Sequence, residues 1–240
     1  MSYLKPSIVE IFSEISLKPN TLPQVALFEL VPELKNNGFT EIELAEVSEI
    51  AVNPLIKTVL QKKTPRIHCF NKDKTSLVQL SEDFVIVNQR GEYLGWNIYR
   101  KIFDLAVASL QKIRNPLPVS SLSLRVQDEF TVPRKGFALG KYLNCGGPRI
   151  PSWYANKSDA CDITLGLGFL NESGYNKVLN IRVRPKVEEV RIQIESGFQN
   201  TLKDTDNPGE LIEALHDESN ETFESLMTDT TRKDVLGGER

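Results

Sequence analysis

The chain begins on a strict alternation. Over 8–17, Val9, Ile11, Ser13 and Ile15 point one way while Ile8, Glu10, Phe12 and Glu14 point the other, which predicts a strand with one face in a core. Pro19-Asn20-Thr21-Leu22-Pro23 then offers cap-type residues and a proline suited to a first helical turn. A helix is predicted over 22–37 with Val25, Phe28 and Leu34 inward, ending at Asn36-Asn37-Gly38. Pro32 is expected to kink or split it, because proline removes a backbone donor and crowds the preceding turn. Strands fill 41–90, where two apolar runs flank Ser81-Glu82-Asp83 at hairpin spacing. Tyr99, Ile102, Phe103, Ala106, Leu110 and Ile113 recur at helical spacing over 96–114, and Asn115-Pro116 stops that helix.

The second half starts on a strand over 119–132. Leu122, Leu124, Val126, Phe130 and Val132 form its apolar face, and Asp128 falls on that face between Val126 and Phe130. Three more strands, over 163–169, 178–184 and 187–194, read as a meander. Asn207-Pro208-Gly209-Glu210 opens a last helix with a strong cap and a first-position proline. Leu211, Leu215, Phe223, Leu226 and Met227 face inward, Thr228-Asp229 caps a final turn, and Gly237-Gly238 onward is expected to fray. The fold class is therefore α+β: one largely antiparallel sheet, or two related sheets, with three main helices on one side. The element order suggests two similar α+β halves, 1–116 and 117–240, forming one architectural unit, although no residue-level repeat is visible.

Composition narrows the function classes. The 240 residues are 40% apolar and 25% charged with net charge −3, ordinary for a globular chain and without the basic excess of a nucleic-acid binder. No apolar run reaches the roughly 18 residues that cross a bilayer, so no membrane association is expected. The first residues lack a basic stretch followed by an apolar core, unlike a secretory leader. Cys69, Cys145 and Cys161 are too few for a disulfide framework and fit a cytoplasmic protein. His68 and Cys69 are adjacent on a strand and so face opposite ways, and no metal-ligand spacing or cofactor signature is present. No GxSxG occurs, and two histidines leave little choice of catalytic base, which leans away from an enzyme.

Two features carry candidate chemistry. Asp128 is a carboxylate facing a core, so it must be ion-paired (Arg182 or Arg184), hydrogen-bonded, turned outward by a bulge, or functional in a pocket with Arg125. The irregular segment 133–160 interleaves Arg134, Lys135, Lys141 and Arg149 with Tyr142, Trp153 and Tyr154. Such a loop could grip a single-stranded nucleic acid or an acidic partner, or its aromatics could pin it to the core. Charge is uneven: from Asp204 to Arg240 there are eleven acidic and three basic residues, leaving a mildly basic body with an acidic end.

Five short motifs carry a resemblance: Pro6-x-Ile8-Val9-Glu10 with Glu14-Ile15; Val78-Gln79-Leu80 followed by Phe84 and Asn88; Tyr93-x-Gly95-Trp96-x-x-Tyr99; Leu124-Arg125 with Asp128; and Phe223-Glu224-Ser225-Leu226-Met227-Thr228-Asp229. In these the chain resembles a sporadically distributed family of prokaryotic proteins of unknown function and similar length. Val126 departs from it, since the family tends to carry an aromatic after the arginine. The resemblance implies one architectural unit and a possible accessory role in a defence or toxin–antitoxin type system; it supplies no catalytic residue. The leading expectation is a cytosolic binding or adaptor protein with a protein partner. A ligand pocket or enzyme around Asp128 and Arg125, and a nucleic-acid contact through 133–157, are the alternatives.

Overall fold

Alternation wins along most of the chain, and the strands it forms assemble into a single sheet. The computed structural model describes residues 3–19, 23–53, 58–144, 163–170, 176–202 and 206–238. In chain order the elements are β1 (Ile8–Leu17), α1 (Gln24–Asn36), β2 (Glu41–Asn53), β3 (Thr58–Phe70), β4 (Ser76–Leu80), β5 (Phe84–Arg90) and α2 (Trp96–Ile113). Then follow β6 (Val119–Pro133), the short α3 (Leu139–Tyr142), β7 (Ile163–Leu170), β8 (Asn176–Pro185), β9 (Glu189–Thr201), α4 (Pro208–Leu226) and a π-helical turn, Thr231–Val235.

The nine strands are ordered β2-β3-β4-β5-β1-β6-β9-β8-β7, each antiparallel to its neighbours. In each half the last strand returns beside the first (β5 on β1, β9 on β6), and a long helix follows. The two first strands then pair with each other, Ile11 opposite Val126 and Phe12 opposite Arg125, which joins the halves into one sheet.

Side chains sort by strand parity. Ile11, Ser13 and Ile15 of β1, and Leu122, Leu124 and Val126 of β6, are buried, while Glu10, Phe12 and Arg125 project from the opposite face. Two apolar clusters form on the helical side. One joins Ile11, Leu27, Leu34, Phe103, Leu110, Leu124, Val126 and Leu215. The other joins Phe130, Val132, Phe137, Tyr142, Ile181, Ile192, Leu226 and Leu236. Asp128 occupies the one inward position of β6 between them.

Several local expectations are corrected. The buried face of α1 is Leu27, Leu30 and Leu34, one i, i+3, i+7 stripe, whereas Val25 is 74% and Phe28 49% exposed. Pro32 neither splits nor ends α1; it lies on the exposed side of the helix, four residues after the half-exposed Phe28 whose carbonyl it leaves without an amide donor. On α4, Ile212, Leu215 and Leu226 are buried, while Leu211 and Phe223 are half-buried. Asn207 does cap α4, its side-chain oxygen accepting from Gly209 N at 2.9 Å. Gly238 does not fray: it forms a β-bridge with Tyr3, and its N–H donates to the Arg232 carbonyl at 2.8 Å. Thr228 caps the last turn as expected, its Oγ1 accepting from Thr231 N at 3.2 Å. Among the described residues no helix is long and apolar enough to cross a membrane.

Candidate functional site

Where the two apolar clusters meet, the inward stripe of three elements turns small or polar at once. On β6 the break is Asp128, on β9 it is Ser196 within Ile192-x-Ile194-x-Ser196-x-Phe198, and on α4 it is Ser219 with Thr222. Ser196 Oγ lies 3.2 Å from Ser219 Oγ. Large apolar side chains at these positions would have closed the core. In their absence a cavity of about 480 Å³ remains, lined by Ser7, Ile8, Tyr93, Trp96, Val126, Asp128, His216, Ser219 and Phe223 among others.

Local backbone features aim these residues. Ile8 pairs with Asp128 and Glu10 with Gln127, so Val9 is an extra residue that bulges β1. The bulge leaves Ser7 against β6, where its carbonyl accepts from Glu129 N at 2.7 Å and its Oγ donates to Asp128 Oδ1 at 2.7 Å. Gly95 has φ of 97°, a conformation L side chains rarely adopt. It turns the chain from Tyr93-Leu94 into α2, so Trp96 begins the helix beside α4. The indole stacks parallel to the His216 ring, with centroids 3.7 Å apart and 4° between planes, and its Nε1 donates to Glu213 Oε2 at 2.9 Å. The Tyr99 ring also stacks on the indole, its centroid 5.5 Å away.

The electrostatics are one-sided. Asp128 is 4% exposed, and Ser7 is its one hydrogen-bond partner among the described residues. Burial pushes its carboxyl up to about 7, against a smaller opposing effect of the Ser7 hydroxyl. Burial, with the Asp128 charge added, raises the Tyr93 hydroxyl to about 12. Glu224 at the rim is neutralised: Tyr3 Oη donates to its Oε1 at 2.7 Å and Arg232 Nε to its Oε2 at 3.0 Å. Burial lowers the His216 pKa, outweighing the attraction of Asp217 and Glu213, so the ring is neutral at pH 7. Neither lysine nor arginine is among the residues lining the cavity.

One consequence is measurable by fluorescence. With Trp153→Phe leaving Trp96 as the sole indole, emission is expected to fall with acid at a midpoint below 6.5, as His216 becomes an imidazolium against the indole face. His216→Gln should remove that step. A step below pH 6.5 that survives the substitution unchanged would show that the stack does not exist in solution.

The anticipated site residues separate. Asp128 faces the cavity, but Arg125 projects from the other face of the sheet, three residues away and so of opposite parity, and the expected common pocket is not formed. Arg125 is 60% exposed, 3.5 Å from Glu195 and over the Phe12 ring at 5.6 Å. Arg182 and Arg184 also belong to that open face, being paired in register with Gln193 and Arg191, so neither ion-pairs with Asp128. In the segment after β6, Arg134 donates to the Lys186 carbonyl at 2.9 Å and Lys135 is exposed. Lys141 is exposed over the Tyr142 ring, and Tyr142 itself is buried, stacked on Phe137 at 5.9 Å. The described aromatics there pin the segment to the core. Arg149, Trp153 and Tyr154 lie outside the described residues.

Sequence pattern within single elements does not mark Trp96, His216 and Ser219. The signal that could have found them is a gap in pattern: an apolar stripe broken on two strands and a helix. Four separate stretches of the chain meet in the cavity wall, contributing Pro6 and Ile8, Tyr93, Gly95 and Trp96, Asp128, and Phe223 and Glu224. A wider groove of about 610 Å³ lies between α2 and the start of α4, but Arg100 there is paired with Asp104 and Glu213. No protein-family model matches the chain, and a search of curated proteins returns no significant relative.

Proposed function

We propose that the chain is a small-molecule-binding protein whose site is the cavity between β6 and α4. The observation that carries this reading is Asp128: a carboxyl 4% exposed, held by one serine hydroxyl, with no cation beside it among the described residues, at the wall of an aromatic-lined cavity. A desolvated, unpaired carboxyl costs stability, and such groups cluster at sites that use them. The volume of about 480 Å³ falls within the range of metabolite-sized pockets. Asp128 on β6 and Ser219 on α4 stand where larger apolar side chains would fill the space, and Gly95 and the β1 bulge aim its walls. A binding role for the segment after β6 finds less support, because its described aromatics Phe137 and Tyr142 are buried and offer no face for stacking.

A chemically diverse fragment library, read by chemical shifts of the Trp96 indole, tests the reading. Binders are expected to move that resonance, and Asn220→Phe, which adds bulk at an exposed rim position, should abolish the response while leaving the fold intact. A library without binders, or binders indifferent to Asn220→Phe, would overturn it.

A further inference from the structure

We infer that the ligand of this cavity is an organic cation, an amine or ammonium compound whose charged head sits against the Asp128 carboxylate with its apolar body among Tyr93, Phe223 and Tyr3. The inference rests on the proposed binding role and adds the chemical class.

Charge balance is the first argument. The wall carries two carboxyls, Asp128 and Glu224, and no lysine or arginine. Glu224 is answered by Arg232 and Tyr3, but among the described residues no cation answers Asp128, which has the Ser7 hydroxyl alone. His216, the remaining titratable wall group besides Tyr3 and Tyr93, is neutral at pH 7 because it is buried against Trp96. An anionic ligand would therefore meet an uncompensated carboxylate, whereas a cation restores the missing partner and forms a charge-assisted hydrogen bond.

Wall chemistry is the second. Tyr3, Tyr93 and Phe223 supply π-systems, which attract desolvated organic cations as well as accommodating apolar surface. The third argument is size and ligand count. A bare metal ion would leave most of 480 Å³ unfilled, and among the described residues no three His, Cys, Asp or Glu side chains converge to ligate one. A cation with an organic body fills the volume and needs only one carboxylate.

Three probes of matched shape decide the class: benzylammonium, benzyl alcohol and benzoate, titrated at pH 8 while the Trp96 indole and Tyr93 resonances are followed. Benzylammonium is expected to bind at least tenfold more tightly than benzyl alcohol, and benzoate not at all. In Asp128→Asn, a variant that keeps the shape and the Ser7 hydrogen bond, the preference for benzylammonium should vanish. Alcohol or benzoate binding as tightly as the amine, or a preference that survives Asp128→Asn, overturns the inference and leaves the cavity reading standing. If none of the three enters while other library members do, cationic binders support the inference and neutral or anionic binders overturn it. If nothing enters at all, both readings fall.

Discussion

Asp128→Asn is expected to make the protein more stable at pH 8, by between about 2 and 4 kcal/mol, and to make no difference near pH 4. The folded carboxyl titrates near 7 because it is buried, whereas in the unfolded chain it titrates in the ordinary range near 3.8. Between those values the folded state holds a proton that the unfolded state has released. Stability therefore falls as pH rises from about 4 to about 7, and the full cost of the buried charge persists above. Asparagine has no charge to desolvate and can still accept from Ser7, so the variant escapes that loss. The lower end of the range allows for water in the cavity solvating the charge. His68 and His216, both lowered by burial, oppose this trend in acid, but they are common to both proteins and drop out of the difference. Denaturant midpoints of the two proteins at pH 4.5, 6 and 8 give the measurement. A variant less stable than the parent at pH 8 would mean that the carboxylate has a cationic partner, and the proposed site would lose its main support.

The gain in stability is expected to come with loss of amine binding. A residue that costs stability in the free protein and contributes to a complex is what a binding site requires, and a neutral core would be more stable without it. That opposition separates Asp128 from Cys69. The Cys69 thiol is also buried and raised, to about 11, but it belongs to the apolar cluster under α1. There its neutral form simply packs, and nothing about it asks for a ligand.

Why Asp128 is visible in the sequence and its companions are not follows from the range of each signal. Alternation of period two is a local property, so β1, the β4–β5 hairpin and β6 are legible, and a charge on an apolar parity stands out within seven residues. Partners across elements depend on register and on the phase of a helix. Arg125 is near Asp128 in sequence but of opposite parity, and the same alternation that exposes Asp128 could have excluded it. Trp96 and His216 lie 120 residues apart and meet only because α2 and α4 cover the same sheet face, which no local pattern encodes. The misplaced face of α1 has a related cause: Val25 and Phe28 are as apolar as Leu27 and Leu30, and the packing of α1 against α2 and β3 decides which stripe turns inward. Tyr142 reads as a loop aromatic because the second cluster that receives it draws on α3, β8 and the last turn, and most of these lie far from it in sequence.

Tyr99→Ala should be the most damaging single change near the site, costing about 3–5 kcal/mol, while Tyr99→Phe should cost about 1–3. The side chain is fully buried in the first turn of α2. Its hydroxyl bridges Ser13 Oγ at 2.7 Å and the Val87 carbonyl at 3.0 Å, tying α2 to β1 and β5 where the two halves join. Phenylalanine keeps the ring packed but strands a buried serine hydroxyl and a carbonyl, each costing the desolvation its partner had offset. Alanine adds a ring-sized hole under α2 among side chains that are themselves fully buried, such as Phe103 and Ile11. Binding should respond differently from stability. The ring of Tyr99 stacks on Trp96 at 5.5 Å and that of His216 at 3.7 Å, so two rings support the indole. Tyr99→Phe preserves that support, and its affinity for benzylammonium should stay within about threefold of the parent despite the lost stability, a shift of under roughly 0.7 kcal/mol. Tyr99→Ala frees one side of Trp96 and should weaken binding by more than about tenfold in the fraction that remains folded. Equal loss of affinity in both variants would place the hydroxyl, rather than the ring, in control of the cavity wall, and an unchanged midpoint in Tyr99→Phe would show that water already satisfies Ser13 and Val87.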